Sequence, residues 1–247
     1  MRYTTTKLFT FVFAILGCAF MLQVLSSCGG SSSVITAAGT NTTKLVIVNA
    51  SSDVGPLTAF INSYQVGIST NTTTSAARTY FRYTDVPTYY GVGTGLLTLQ
   101  LRTDHLINLT SDTLTTISGR GYSLFLVGLA SIDSLSTILI SDYSPTPTLG
   151  MGKVRFLNAS PRTPALNIYI NGTLGFTKMT YKKVSDYIEL PAGLYDFKMT
   201  ATSSTSSVLT DLSRVTVQDG RYYTLYSKGM VGRTDTAAVS LNVITNK

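Results

Sequence analysis

The 247-residue sequence holds one His, two Cys and no Trp, and charged residues make up only 13% of it. That is about half the charged fraction of an ordinary soluble protein. A single imidazole leaves little to titrate near neutral pH, and one His with two Cys cannot supply the ligands of a zinc centre. The 12 Asp and Glu residues are scattered, with no Asp-x-Asp-x-Asp-Gly run for calcium and no pair marked out for glycoside hydrolysis. The sole imidazole, His105, follows Asp104 just past an expected strand and reads as a solvated turn residue. No Gly-x-Ser-x-Gly elbow offers a nucleophile to go with it. Gly150-Met151-Gly152-Lys153 lacks the first Gly and the Ser/Thr of a phosphate loop, and Gly91 to Gly95 reads as a hairpin turn. With 44% apolar residues the chain is too apolar to be disordered, yet too polar along most of its length for a multi-span membrane protein. What is plentiful is Ser, Thr, Gly and Tyr (15 Tyr), a composition that suits an exported all-β protein and speaks against most enzymes.

The N-terminus has three zones. Arg2 and Lys7 give a positive start, Leu8 to Leu25 is a largely apolar run of 18 residues, and a small-residue segment ends at Cys28. This is the layout of an export signal, although the run is also just long enough to cross a bilayer. Leu25-Ser26-Ser27-Cys28 resembles the bacterial lipobox. The resemblance implies cleavage before Cys28, a diacylglyceryl group on its thiol and an acylated new N-terminus. Several acyl chains exceed the two-signal threshold for stable anchoring. Ile15-Leu16-Gly17-Cys18 is a second formal match, but cutting there leaves too short an apolar core. With Cys28 lipidated, the mature chain has no other thiol and no disulfide. Residues 28–43, rich in Gly, Ser and Thr, then form a flexible tether. In lipoproteins of enterobacterial type a residue other than Asp after the Cys favours the outer membrane, so with Gly29 there the resemblance implies that destination, and periplasmic and cell-surface faces both stay open.

The remainder is duplicated. Lys44 to Asn62 (KLVIVNASSDVGPLTAFIN) matches Lys153 to Asn171 (KVRFLNASPRTPALNIYIN) at an offset of 109, with seven of nineteen positions identical. Gly93 to Leu99 matches Pro191 to Phe197 at offset 98, and Gly119-Arg120 matches Gly220-Arg221 at offset 101. Insertions between copies fall in polar stretches such as residues 71–77. Leu97, Leu99 and Leu101 alternate with polar residues, as do Tyr195, Phe197 and Met199, and Leu166, Ile168 and Ile170. That period of two predicts strands, and Asn171-Gly172 and Asp219-Gly220 supply turns between them. The expected architecture is all-β, two tandem β-sandwich domains of immunoglobulin or transthyretin type after the signal peptide of residues 1–27. The first repeat is drawn at residues 44–143, a Pro-containing linker at 144–152 and the second repeat at 153–247, each copy closing its own core.

VRFLNASPRTPALNIYING, VSDYIELPAGLYDFKM and VTVQDGRYYTLYSKG resemble the bacterial domain of unknown function 4397. The pattern there is a strand ending in His/Asn-Ala-Ser-Pro, a hairpin ending in Asn-Gly, a Leu-Pro-Ala-Gly-x-Tyr segment and a Gly-x-x-Tyr-Thr strand. Residues 153–230 fit throughout, while residues 44–128 depart at Ser52, Ser63 and Gly93. The resemblance implies exported β-sandwiches, often in tandem, and brings no catalytic residues.

Three sets of candidate residues follow. Cys28 is the lipid attachment site. Thr113, Ser134 and Thr236 each follow an Asp and precede an apolar residue, resembling an O-glycosylation signal of some Gram-negative lineages. Tyr89 and Tyr90 are adjacent in an expected strand, so their rings point to opposite faces and one is free to stack on a ligand. Without Arg2 and Lys7 the charge is 17 basic against 12 acidic residues, or +5, spread thinly as solvated charges. Nucleic-acid binding, which needs a concentrated basic stripe, is not expected. No cofactor or metal is expected. The reading is a non-enzymatic envelope lipoprotein acting as a binding or structural module, with the membrane and an envelope protein or glycan as partners. Glycan capture is the alternative, and a hydrolase with an unmarked site is a third class.

Overall fold

The computed structural model describes residues 42–67, 78–204 and 207–246. The signal peptide, Cys28, most of the tether and the polar loop at 71–77 lie outside them. The described chain is all-β, with one short 3-10 turn at Ala130–Ile132. The first repeat runs β1 (Thr42–Asn49), β2 (Leu57–Ile61), β3 (Tyr64–Gln65), β4 (Tyr89–Gly93), β5 (Gly95–Thr103), β6 (Asn108–Thr116), β7 (Gly121–Val127) and β8 (Ser136–Ser141). The second runs β9 (Met151–Asn158), β10 (Leu166–Ile170), β11 (Thr173–Met179), β12 (Ile188–Pro191), β13 (Gly193–Ala201), β14 (Val208–Val217), β15 (Tyr222–Lys228) and β16 (Ser240–Asn246). β1 and β9 each begin two residues before the boundary drawn from the sequence.

Both repeats have the same topology. One sheet is ordered β4-β1-β7-β8 and its counterpart β12-β9-β15-β16; the other is β3-β2-β5-β6 and its counterpart β11-β10-β13-β14. In each repeat the first strand pairs in parallel with the seventh, β1 with β7 and β9 with β15. The duplicated motifs hold matching places. Asn49 accepts the Ser51 N–H at 3.1 Å, and Asn158 accepts that of Ser160 at 3.0 Å, so Asn-Ala-Ser is a buried turn device in both copies. Tyr122 accepts the Ile117 N–H and Tyr223 accepts the Gln218 N–H, each at 3.0 Å, closing the β6–β7 and β14–β15 turns alike.

Each repeat closes a core between its two sheets. Leu45, Ile47, Leu99, Leu101, Leu124 and Leu126 meet in the first, and Phe156, Ile168, Phe197, Met199 and Leu225 in the second. The half-buried Tyr195 packs on Phe197 as the alternation predicts. A third core had not been expected. Val46, Val48, Phe125, Val127 and Ile140 of the first repeat pack against Leu157, Ala159, Tyr226 and Ile244 of the second. The β1 and β9 sheets therefore face each other and are buried on both sides. Phe125 and Tyr226, counterparts at offset 101, meet edge to face at 5.3 Å, so like meets like as in a twofold dimer.

A polar network is buried in the same interface. Arg155 on β9 pairs with Asp142, the residue after β8, at 2.5 Å, with the two side chains 4% and 1% exposed. Arg155 also donates to Ser141 O at 2.7 Å and Thr224 Oγ1 at 2.9 Å, and lies 4.7 Å over the Tyr187 ring. Asp142 accepts from Tyr89 at 2.6 Å and from Ser123 at 2.9 Å, and Asn246 of the last strand donates to Tyr89 Oη at 2.9 Å. Burial holds the Asp142 carboxyl above the ordinary carboxylate value, and the Tyr89 hydroxyl and Arg155 offset that only in part. The reading of the charges as uniformly solvated fails at Asp142, Arg155 and Lys228. Lys228 is buried against the Tyr83 ring and donates to the Tyr83 carbonyl. The linker is pinned too, with Thr148 N–H on Glu189 and Gly150 N–H on Asp219.

Asp142→Ala strands the Arg155 charge in the interface and is expected to cost about 3–5 kcal/mol in urea denaturation, as loss of one partner of a buried pair does. The double variant Asp142→Leu with Arg155→Met is expected to lose less than the sum of the single changes. A fragment of residues 152–247 exposes the apolar face of the β9 sheet and lacks Asp142. It is expected to self-associate in analytical ultracentrifugation; a monomer as stable as the full chain would show that the third core contributes nothing.

Candidate functional site

Four loops meet at the end of the strands where β1, β7, β9 and β15 finish. They are the β1–β2 and β7–β8 loops of the first repeat and the β9–β10 and β15–β16 loops of the second. Gly128 and Gly229 start the β7–β8 and β15–β16 loops at φ 102° and 84°, and a Cβ at either would collide with the backbone of Ser134 or Ala238. Between the four loops lies a cleft of about 470 Å³, lined by Asp53, Leu129, Ser131, Arg162, Met230, Val231, Gly232 and Arg233. Three pairs of those residues are repeat counterparts: Asp53 with Arg162, Leu129 with Met230, and Ser131 with Gly232. The cleft is thus built twice from the same loops, with an acid on one side and a base on the other.

The acid is fully engaged. Asp53 accepts the N–H groups of Ala130 (2.9 Å) and Ser131 (2.8 Å) and the hydroxyl of Ser51 (3.0 Å). Its slight burial acts to raise its pKa, but the Ser131 and Ala130 N–H groups hold it below the ordinary carboxylate value. A carboxylate so held is a poor proton acceptor. On the other side Arg233 forks onto Asp235, both exposed, and Arg162 makes no hydrogen bond or ion pair among the described residues.

The residues singled out from the sequence lie elsewhere, and Cys28 is outside the described residues. Tyr89 and Tyr90 point to opposite faces as the strand requires, but protein covers both. Tyr89 lies in the interface core on Asp142 and Asn246, where burial and then the Asp142 charge push its hydroxyl well above the usual tyrosine range. Tyr90 packs edge to face on buried Phe81 at 5.5 Å. Neither forms an outward stacking platform, because the sheet that carries them has no solvent face. Thr113 on edge strand β6 and Thr236 in the β15–β16 loop are exposed. The Ser134 hydroxyl is held by the backbone of Leu129, accepting its N–H at 3.0 Å and donating to its carbonyl at 3.2 Å. His105 sits in the β5–β6 turn with its side chain 84% exposed, 3.8 Å from Asp104. Among the described residues no group of three or more His, Cys, Asp or Glu is placed to hold a metal ion.

The sequence reading missed the cleft. A partial signal is the run of consecutive apolar residues in LVIV and LFLV of the first repeat, where a half-buried strand would alternate. Such runs mark a sheet covered on both faces, and here the β9 sheet of the second repeat supplies the cover. That packing alone brings Asp53 and Arg162, 109 residues apart, to one cleft.

The family model described as "Domain of unknown function (DUF4397)" matches residues 43–169 and 152–247. No curated protein matches the chain. Among solved structures it is similar to a family 41 carbohydrate-binding module from streptococcal virulence factors, reported for alpha-glucan recognition. That likeness has 12% identity over 72% of this chain and 92% of that one, with a TM-score of 0.22. A second is the TIE protein of Bacillus anthracis, at 11% identity over 83% of this chain and 43% of that one, with a TM-score of 0.19. At such scores neither carries an argument about function.

Asp53→Ala is expected to lower stability by roughly 1 kcal/mol at neutral pH, a modest loss because the site is open to solvent. The folded-state pKa of Asp53 lies below 3.8, so its contribution is present above that pH and fades as pH falls through the lowered value. Urea titrations of both proteins from pH 7 to pH 2 should converge at the acid end.

Proposed function

Given that the chain belongs to the family described as Domain of unknown function (DUF4397), we propose that it is a non-enzymatic binding module, held at the bacterial outer membrane by lipid on Cys28. Its working face is the cleft between the paired loops. One observation carries this reading: the cleft and the start of β1 are at opposite ends of the same strand. β1 is 8 residues long, so at about 3.3 Å per residue some 25 Å separates them. The tether from Cys28 enters β1 at Thr42, and a lipid anchor at that end points the cleft away from the bilayer. The inner sheets keep the two sides of the cleft in register, as a binding face needs.

A catalytic role finds little support among these residues. The acid in the cleft is tied to backbone N–H groups, and the one imidazole is in a solvated turn at the edge of the first repeat. Glycan capture by Tyr89 and Tyr90 loses its basis, since both rings are packed against protein.

The test uses the full chain in its native host. Alkyne-palmitate should label it, and Cys28→Ala should abolish the label. A photocrosslinking residue at Val231, on the cleft, should give a discrete adduct, and one at Leu149, at the tether end, should not. Label retained in Cys28→Ala, or adducts from Leu149 alone, would overturn the reading.

A further inference from the structure

The duplication supplies an internal template for what the cleft binds. In the first repeat three donors converge on the Asp53 carboxylate: Ala130 N–H, Ser131 N–H and the Ser51 hydroxyl. Their counterparts in the second repeat are Val231 N–H, Gly232 N–H and the Ser160 hydroxyl, and the counterpart of the acid itself is Arg162. None of these three donors meets an acceptor among the described residues, and the Ser160 hydroxyl is buried without a partner. The second repeat has thus kept donors of the kind that hold a carboxylate in the first, has lost the carboxylate, and has gained a guanidinium beside them.

From this we infer that the second-repeat side of the cleft binds a carboxylate presented by an acidic segment of a partner protein. Arg162, unpaired among the described residues, meets the charge, beside an Arg233 already forked onto Asp235, and the Val231 and Gly232 N–H groups orient it. The apolar lining decides the kind of partner. Leu129, Met230 and Val231 are aliphatic and no aromatic ring lines the cleft, so a Glu flanked by aliphatic side chains fits where a sugar ring would have nothing to stack on. A volume of about 470 Å³ admits a few side chains of such a segment.

This inference rests on the cleft being the working face, and its test is independent of anchoring. The probes for the detergent-solubilised full chain are an acetylated, amidated peptide of alternating Leu and Glu, the same peptide with Gln for Glu, and trigalacturonate. Calorimetric titration should show binding of the Glu peptide at least tenfold tighter than the Gln peptide. Arg162→Ala should weaken it about tenfold and Arg162→Glu should abolish it. Hydrogen exchange should slow at Val231 and Gly232 when the Glu peptide is bound. Equal affinity for the Glu and Gln peptides, or undiminished binding in Arg162→Glu, would overturn the carboxylate site. Binding of trigalacturonate in place of the Glu peptide would overturn the protein partner. A failed titration leaves the palmitate result on Cys28 standing, and a missing palmitate label leaves the titration standing.

Discussion

The ion pair between Asp142 and Arg155 is the interaction on which the arrangement of the two repeats depends. Asp142 is the first residue after the last strand of one repeat and Arg155 lies in the first strand of the next, so the pair closes the short connection between them. Neither charge reaches water. Each is tolerable only while the other is present and the remaining polar atoms are satisfied by Tyr89, Ser123 and Thr224. Asn246 adds the final strand by bonding both Tyr89 and Thr224. The apolar contacts around it would permit some sliding of one sheet over the other. The network, made of directional bonds, permits one register.

The two repeats are best understood by where counterparts agree and where they part. Asn49 and Asn158, Tyr122 and Tyr223, and Asn62 and Asn171 do the same work in both copies, the last pair accepting the N–H groups of Thr98 and Asp196 at 2.8 Å. Those are demands of the sandwich itself. Three of the places where they part lie on the surfaces that the pairing of repeats created: Val46 against Arg155, Val127 against Lys228, and Asp53 against Arg162. The first two lie in the packed interface and the third in the cleft.

Much of the fold was legible in the sequence. Alternation in Leu97 to Leu101 and in Tyr195 to Met199 marks the strands of the outer sheets, whose second faces meet solvent. The duplication and the turn residues follow from matched motifs. The pairing of the repeats was not read, because only β1 and β7 carry consecutive apolar residues, while Arg155 and Thr224 interrupt β9 and β15. Arg155 was taken for a surface charge because nothing local distinguishes it: its partner is the residue just after β8 of the other repeat, and only the opposed sheets bury both. The cleft was not read for the same cause. Its loops come from four separate places in the chain, and tertiary packing brings them together.

The central claim is that the two repeats unfold as one body. Differential scanning calorimetry of residues 42–247 tests it most directly. The account predicts a single transition whose calorimetric enthalpy equals its van't Hoff enthalpy for the whole chain. Two resolved transitions, or a van't Hoff enthalpy near half the calorimetric value, would contradict it.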